Sequence, residues 1–185
     1  MAYREMENNA SPEQLYQDGM EAYRAEEYET AIERFNSAKN AYSASGDALK
    51  AAEMANNLCV IYLQQKEPQK ALEIVAGTEQ VFAAAGDLQR QALAWGNHAS
   101  ALEALGKRGD ALAAYQKSSD LLKAAGDREN RATVLASISR LQMRSGKQLE
   151  AMATMQASLD NQPKLSLRDK MLNQLLKIPF KFFHN

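Results

Sequence analysis

Residues able to do chemistry are few in this chain, and they stand far apart. His98 and His184 are its only imidazoles and Cys59 its only thiol. A disulfide or a thiolate metal cluster needs at least a second cysteine, and a histidine-rich metal site needs more imidazoles. No Gly-rich phosphate loop, paired-histidine zinc motif or nucleophile elbow occurs. The acidic run Glu26, Glu27 and Glu29 falls at a turn, where solvated charge accounts for it. His98 and Cys59 both read as packing residues. The expectation is no catalytic residue, no metal and no cofactor. What remains is hydrogen bonding and charge. Asn57 and Asn97 stand 40 residues apart, and an Asn amide can donate to a carbonyl while accepting from an N–H. Arg140 and Arg144 are one helical turn apart, so they share a face and suit an acidic group.

The elements that carry these side chains are helices. The chain has 185 residues, four prolines and 7% aromatics, and Ala, Leu, Glu, Gln and Lys dominate over β-branched runs. With 22 Lys+Arg against 23 Asp+Glu the net charge is −1, which lacks the basic excess of a nucleic-acid binder. No stretch has the ~18 apolar residues of a membrane span, and the polar start has no signal-peptide core. The expected location is the cytoplasm. Charge is unevenly spread, however. Residues 1–47 hold 4 basic and 10 acidic side chains, a net of −6, and residues 163–185 hold 5 basic and one acidic, a net of +4.

A repeat organises the whole. Gly-Asp recurs at Gly46-Asp47, Gly86-Asp87 and Gly126-Asp127, every 40 residues. Ala31, Ala71, Ala111 and Ala151 keep that period, as do the small residues Gly19, Cys59, Ala99 and Ser139 and the bulky Phe35, Val75, Tyr115 and Met155. A small residue facing alanine on the next helix lets two backbones approach, and the bulky residue one turn on fills the gap. Glycine can stop a helix in the left-handed conformation, and aspartate can cap the next. The spacing predicts helices over about 12–25, 28–45, 48–65, 68–85, 88–106, 109–125, 128–145 and 148–161. A period of this length implies a stacked array.

These residues resemble the tetratricopeptide repeat family. Trp95, Ala99, Leu102, Ala111 and Tyr115 stand at matching places in the third unit, Leu15, Gly19, Tyr23, Tyr28, Ala31, Phe35 and Ala38 in the first, and Pro163 at the terminal-proline position of the fourth. The period is 40 rather than 34, which is similar to the longer repeats of kinesin light chain and quorum-sensing peptide receptors. The resemblance implies an all-α fold: a right-handed α-α superhelix of four helix pairs plus a C-terminal capping helix. Residues 1–11 form an extension, repeats span about 12–47, 48–87, 88–127 and 128–163, and residues 164–185 form the cap and tail. The implied function is non-catalytic: the first helices line a concave groove that holds a peptide or helix of a partner protein. Groove candidates are Tyr16, Met20, Tyr23, Asn56, Asn57, Val60, Gln64, Asn97, Ser100, Arg140 and Arg144, with Glu103 and Ser137 beside them. In the longer-repeat relatives, asparagines in the column of Asn57 and Asn97 grip the peptide backbone. The carboxylate clamp for chaperone tails is not matched, because Tyr16, Met20 and Leu93 stand where basic or amide residues are needed.

The C-terminal segment reads separately. Ser166 and Asp169 predict a capping box, and Leu167, Met171, Leu172, Leu175 and Leu176 predict an apolar stripe against the last repeat, with Arg168, Lys170, Asn173 and Lys177 outward. Pro179 should end the helix. Phe180, Phe182 and Phe183 then make a basic, Phe-rich tail. It can pack on its own array, meet a second copy in a homodimer, or rest on an anionic membrane surface. A membrane-associated or dimerising adaptor is therefore the alternative function.

Overall fold

A glycine followed by a capping aspartate sets the rhythm of the chain. Gly46, Gly86 and Gly126 adopt φ of 81°, 70° and 72°, a conformation open to glycine because it lacks a Cβ. Asp47, Asp87 and Asp127 then accept from the backbone N–H groups of Lys50, Arg90 and Asn130 at 3.0, 2.9 and 3.1 Å. Each bond satisfies a donor that the first turn of a helix would otherwise leave free.

The computed structural model describes residues 10–181, and for Leu167, Leu175 and residues 177–181 the backbone only. Among the described residues every regular element is a helix. In chain order these are α1 (Pro12–Arg24), α2 (Tyr28–Ala44), α3 (Ala48–Gln64), α4 (Pro68–Val75), α5 (Thr78–Ala84), α6 (Leu88–Ala104), α7 (Arg108–Ala124), α8 (Arg128–Arg144), α9 (Gln148–Asn161) and α10 (Leu167–Lys181). Each packs mainly on its neighbours in sequence, as in a quasi-one-dimensional array. The fold is an all-α solenoid of four helix pairs followed by one further helix.

The repeated columns form the core. Ala31, Ala71, Ala111 and Ala151 are fully buried, with Gly19, Cys59, Ala99 and Ser139 buried across from them. Ser139 Oγ donates to the Ala151 carbonyl at 2.7 Å. A second tie recurs one period apart, Ser118 Oγ to the Ala92 carbonyl and Ser158 Oγ to the Ala132 carbonyl, both at 2.7 Å. Such buried bonds fix how deeply each second helix sits on its first.

Three sequence expectations need correction. The helix predicted over 68–85 is two helices, because Ala76 is extended and Gly77 takes φ 85°. The other repeats carry Ser37, Lys117 and Ala157 at that position and stay helical. Pro179 does not end α10, which runs two residues further to Lys181; so near a helix end a missing N–H disturbs only the final turn. The third correction is the facing of α10. Asn173 is 9% exposed and Leu176 also buried, whereas Met171 is 60% and Leu172 36% exposed. The surface α9 offers here is polar: Gln156 Nε2 donates to Asn173 Oδ1, and Asn173 Nδ2 donates to Asp160 Oδ1 at 3.4 Å. An amide on α10 answers those groups, so the helix rolls to bring Asn173 inward and turns the Met171–Leu172 side out. The predicted cap does form, Asp169 N–H donating to Ser166 Oγ at 3.1 Å.

Candidate functional site

The first helices α1, α3, α6 and α8 meet side by side through bonds spanning about one period. Gln64 Nε2 donates to Tyr23 Oη at 3.0 Å, joining α3 to α1. At the same end Met20, Tyr23, Asn57 and Val60 surround a pocket of about 100 Å³ floored by Phe35. Tyr16 packs beside it with its ring centroid 6.2 Å from that of Phe35. Six of the predicted residues are thus gathered at the junction of two units: Tyr16, Met20, Tyr23, Asn57, Val60 and Gln64.

Asn57 and Asn97 lie half-buried in the equivalent places of α3 and α6. Among the described residues neither side-chain amide is engaged by another group of the chain. The Asn97 carbonyl lies 3.8 Å from Cys59 Sγ, so the two helices adjoin closely here. Asn56 is different: its Oδ1 accepts from the Thr78 hydroxyl at 3.3 Å, toward the start of α5. Ser100 also has internal partners, donating to the Gly96 carbonyl at 2.9 Å or meeting Tyr115 Oη at the same distance.

Glu103, only 14% exposed, organises the far end. Arg140 Nη2 and Arg144 Nη1 lie 3.5 and 3.3 Å from its two carboxylate oxygens, and Tyr115 Oη donates to it at 3.1 Å. Burial, with the Glu103 charge nearby, pushes the Tyr115 phenol up from its ordinary value. The two arginines, which by spacing suit an acidic group, each have a carboxylate partner within the chain, and Arg140 also donates to Ser137 Oγ at 3.2 Å. Two guanidinium groups against one carboxylate still leave a net positive charge, and both remain at least half exposed. Arg140 also borders an open cleft of about 640 Å³ with Thr133, Ser137 and Lys164. The spacing carried the signal for this trio, since 103 to 140 and 103 to 144 bracket one period.

The remaining reactive groups are enclosed. Cys59 is buried, and burial pushes its thiol up to about 12. His98 stacks on Trp95 at 5.7 Å and places Nδ1 3.6 Å from Oε1 of buried Glu79. Burial by itself would raise the Glu79 carboxyl, but the His98 contact and backbone N–H groups at the start of α5 outweigh it and hold the carboxyl below its ordinary value. Among the described residues no three His, Cys, Asp or Glu side chains converge as a metal site, and no helix is long and apolar enough to cross a membrane. The backbone at Phe180 lies within α10; Phe182 and Phe183 lie outside the described residues, as does His184.

No protein-family profile matches the chain, and no curated protein matches it. Solved structures do. The chain is similar to the MamA fragment running from residue 41 to the end, from Desulfovibrio magneticus RS-1, with a TM-score of 0.65 at 19% identity over 83% of this chain and 77% of that one. It is also similar to BtubC (BKLC) from P. vanneervenii, with a TM-score of 0.70 at 15% identity over 90% of this chain and 64% of that one. The chain therefore spans just under two thirds of BtubC. Both are helical repeat proteins of the tetratricopeptide type, and at these identities the likeness is one of fold.

Proposed function

We propose that the chain is a non-catalytic scaffold that holds an extended segment of a partner protein along the face made by α1, α3, α6 and α8. On this reading its units are tetratricopeptide repeats of the 40-residue kind, working in the cytoplasm. The observation that carries it is the pair Asn57 and Asn97. Two amides stand in equivalent places, free of partners within the described chain, and one of them, Asn57, borders an apolar pocket with Met20, Tyr23 and Val60. Each can donate to one peptide carbonyl and accept from one peptide N–H, gripping a backbone irrespective of its side chains. The pocket would take a small aliphatic side chain, and the surplus charge of Arg140 and Arg144 would favour an acidic group further along. A hydrophobic seat with a few placed polar groups is the usual make-up of a binding site.

Panning a random-peptide display library against the purified chain tests this. Peptides should be selected, and the Asn57→Ala/Asn97→Ala variant should bind them roughly 10- to 100-fold more weakly, as expected for four lost hydrogen bonds of about 0.5 kcal/mol net each. Its melting temperature should stay within about 2 °C of the parent, because neither amide holds another element. Selection of no peptide, or undiminished binding by the variant, overturns the reading.

A further inference from the structure

The outward face of α10 and the opposite end of the array are complementary. Met171 and Leu172 stand exposed on α10, with Arg168 and Lys170 exposed beside them. The one acid among these residues, Asp169, is occupied by the Ser166 cap, its Oδ2 accepting from the Ser166 hydroxyl at 2.6 Å. Among the described residues, a basic helix face with an apolar centre is thus left without a partner on its own array.

The 40-residue period shows what kind of surface lies at the other end. In α3, Met54, Leu58 and Ile61 are buried against the first repeat, with Ile74 of α4 packed beside them. In α8, Val134, Ile138 and Leu141 play the same part against the third. The equivalent positions of the first repeat are Gln14, Asp18, Glu21 and Arg34. This face keeps the geometry that receives a helix but has polar side chains in place of apolar ones. It holds a cleft of about 300 Å³ floored by Ala22 and Ala25 and lined, among the described residues, by Asp18, Glu21, Glu27 and Arg34.

We propose that the chain self-associates head to tail, α10 of one copy lying in the acidic cleft between α1 and α2 of the next. Met171 and Leu172 rest on Ala22 and Ala25, and Arg168 and Lys170 face Asp18, Glu21 and Glu27. A two-fold pairing of α10 with α10 would set Arg168 and Lys170 against their own like charges, whereas the acidic cleft attracts them. The contact joins two different surfaces, so it propagates from copy to copy, as a ring or an open chain, rather than pairing two copies symmetrically. It is separate from the asparagine-lined face.

Sedimentation velocity over a concentration series tests the proposal. In low salt the average mass should grow with concentration past that of a dimer, and about 0.5 M salt should reduce it sharply. The Asp18→Lys/Glu21→Lys and Arg168→Glu/Lys170→Glu variants should each be monomeric with unchanged helicity, because these side chains hold no other element in place. Mixed, or combined in one chain, they should assemble again, since the reversed charges are once more opposite. The Asn57→Ala/Asn97→Ala variant should assemble as the parent does, which keeps this result independent of peptide binding. A parent that stays monomeric, assembly indifferent to both reversals, or mixed variants that remain apart overturns the proposal. So does a monomeric parent that sediments with phosphatidylserine-containing vesicles, which would make a membrane the occupant of the α10 face.

Discussion

Arg144 on α8 reaches back across a repeat boundary to Glu103 on α6, Nη1 3.3 Å from Oε1. The carboxylate also receives Tyr115 Oη from α7, so one mostly buried acid ties together three helices of two repeats. Replacing Glu103 with Ala should cost about 1 kcal/mol, a modest figure because both arginines are well exposed and solvent screens them. A thermal melt should show a fall of about 2–4 °C. The same change frees two guanidinium groups, so any acidic peptide selected by the parent should bind more tightly.

Gly19 owes its identity to Phe35. A Cβ added at Gly19 would lie 2.9 Å from the Phe35 ring, and the buried ring must shift to admit it. Gly19→Ala should therefore destabilise by about 1–3 kcal/mol through overpacking, even though alanine is the better helix former. Urea unfolding would show a lower midpoint with an unchanged slope. Because Phe35 floors the 100 Å³ pocket, the same variant should bind selected peptides differently.

The turns inside the helix pairs offer a stabilising change. Glu26 and Lys66 both adopt φ of 60°, at positions where the third and fourth repeats have Gly106 and Gly146. An L-residue in this region loses about 1–2 kcal/mol to the clash of its Cβ, and glycine avoids it at a smaller entropic cost. Glu26→Gly and Lys66→Gly should each add up to about 1 kcal/mol, read as a higher urea midpoint.

Asp87 carries a pH dependence on the acid side. The Arg90 backbone N–H, together with the Arg90 side chain, outweighs the opposing effect of burial and holds its carboxyl below its ordinary value. The folded value is depressed, so the stabilisation is complete above the unfolded value and is lost as pH falls through the folded one. Asp87→Ala should cost about 1 kcal/mol at neutral pH, the usual worth of an N-cap. The difference between the variant and the parent in chemical denaturation should narrow as the pH falls through the acid range.

Cys59 governs the alkaline side. Burial raises its folded thiol to about 12, well above the ordinary value, so the folded state keeps a proton that the unfolded chain gives up. Its stabilisation is complete below about pH 9 and is lost as pH rises through the folded value. Stability should decline from about pH 9 upward, with up to about 1.4 kcal/mol per pH unit from this group, and Cys59→Ala should flatten the decline. At pH 8 a thiol reagent should label the native protein only as fast as it opens.

The sequence by itself determined the array. Its 40-residue period, the Gly-Asp stops and the alternating small and bulky columns specify helix pairs, because each acts through local backbone conformation or contact with the adjoining helix. It also marked Met20, Tyr23, Asn57 and Val60 for one face of the first helices; the pocket they share came from the tertiary structure. Tertiary structure decided what depends on the surface a neighbour presents. Asn56 and Asn57 differ by one residue, yet the 100° between them on the helix sends one to Thr78 and leaves the other without a partner. Arg140 and Arg144 looked unclaimed until α6 brought Glu103 beside them. In α10 the apolar stripe promised one docking face, but it is Asn173 that turns inward, bonded to Gln156 and Asp160 of α9, and Met171 and Leu172 face outward. A buried hydrogen-bonding group left unsatisfied costs more than an exposed apolar side chain, and that balance exists only once two helices are in contact.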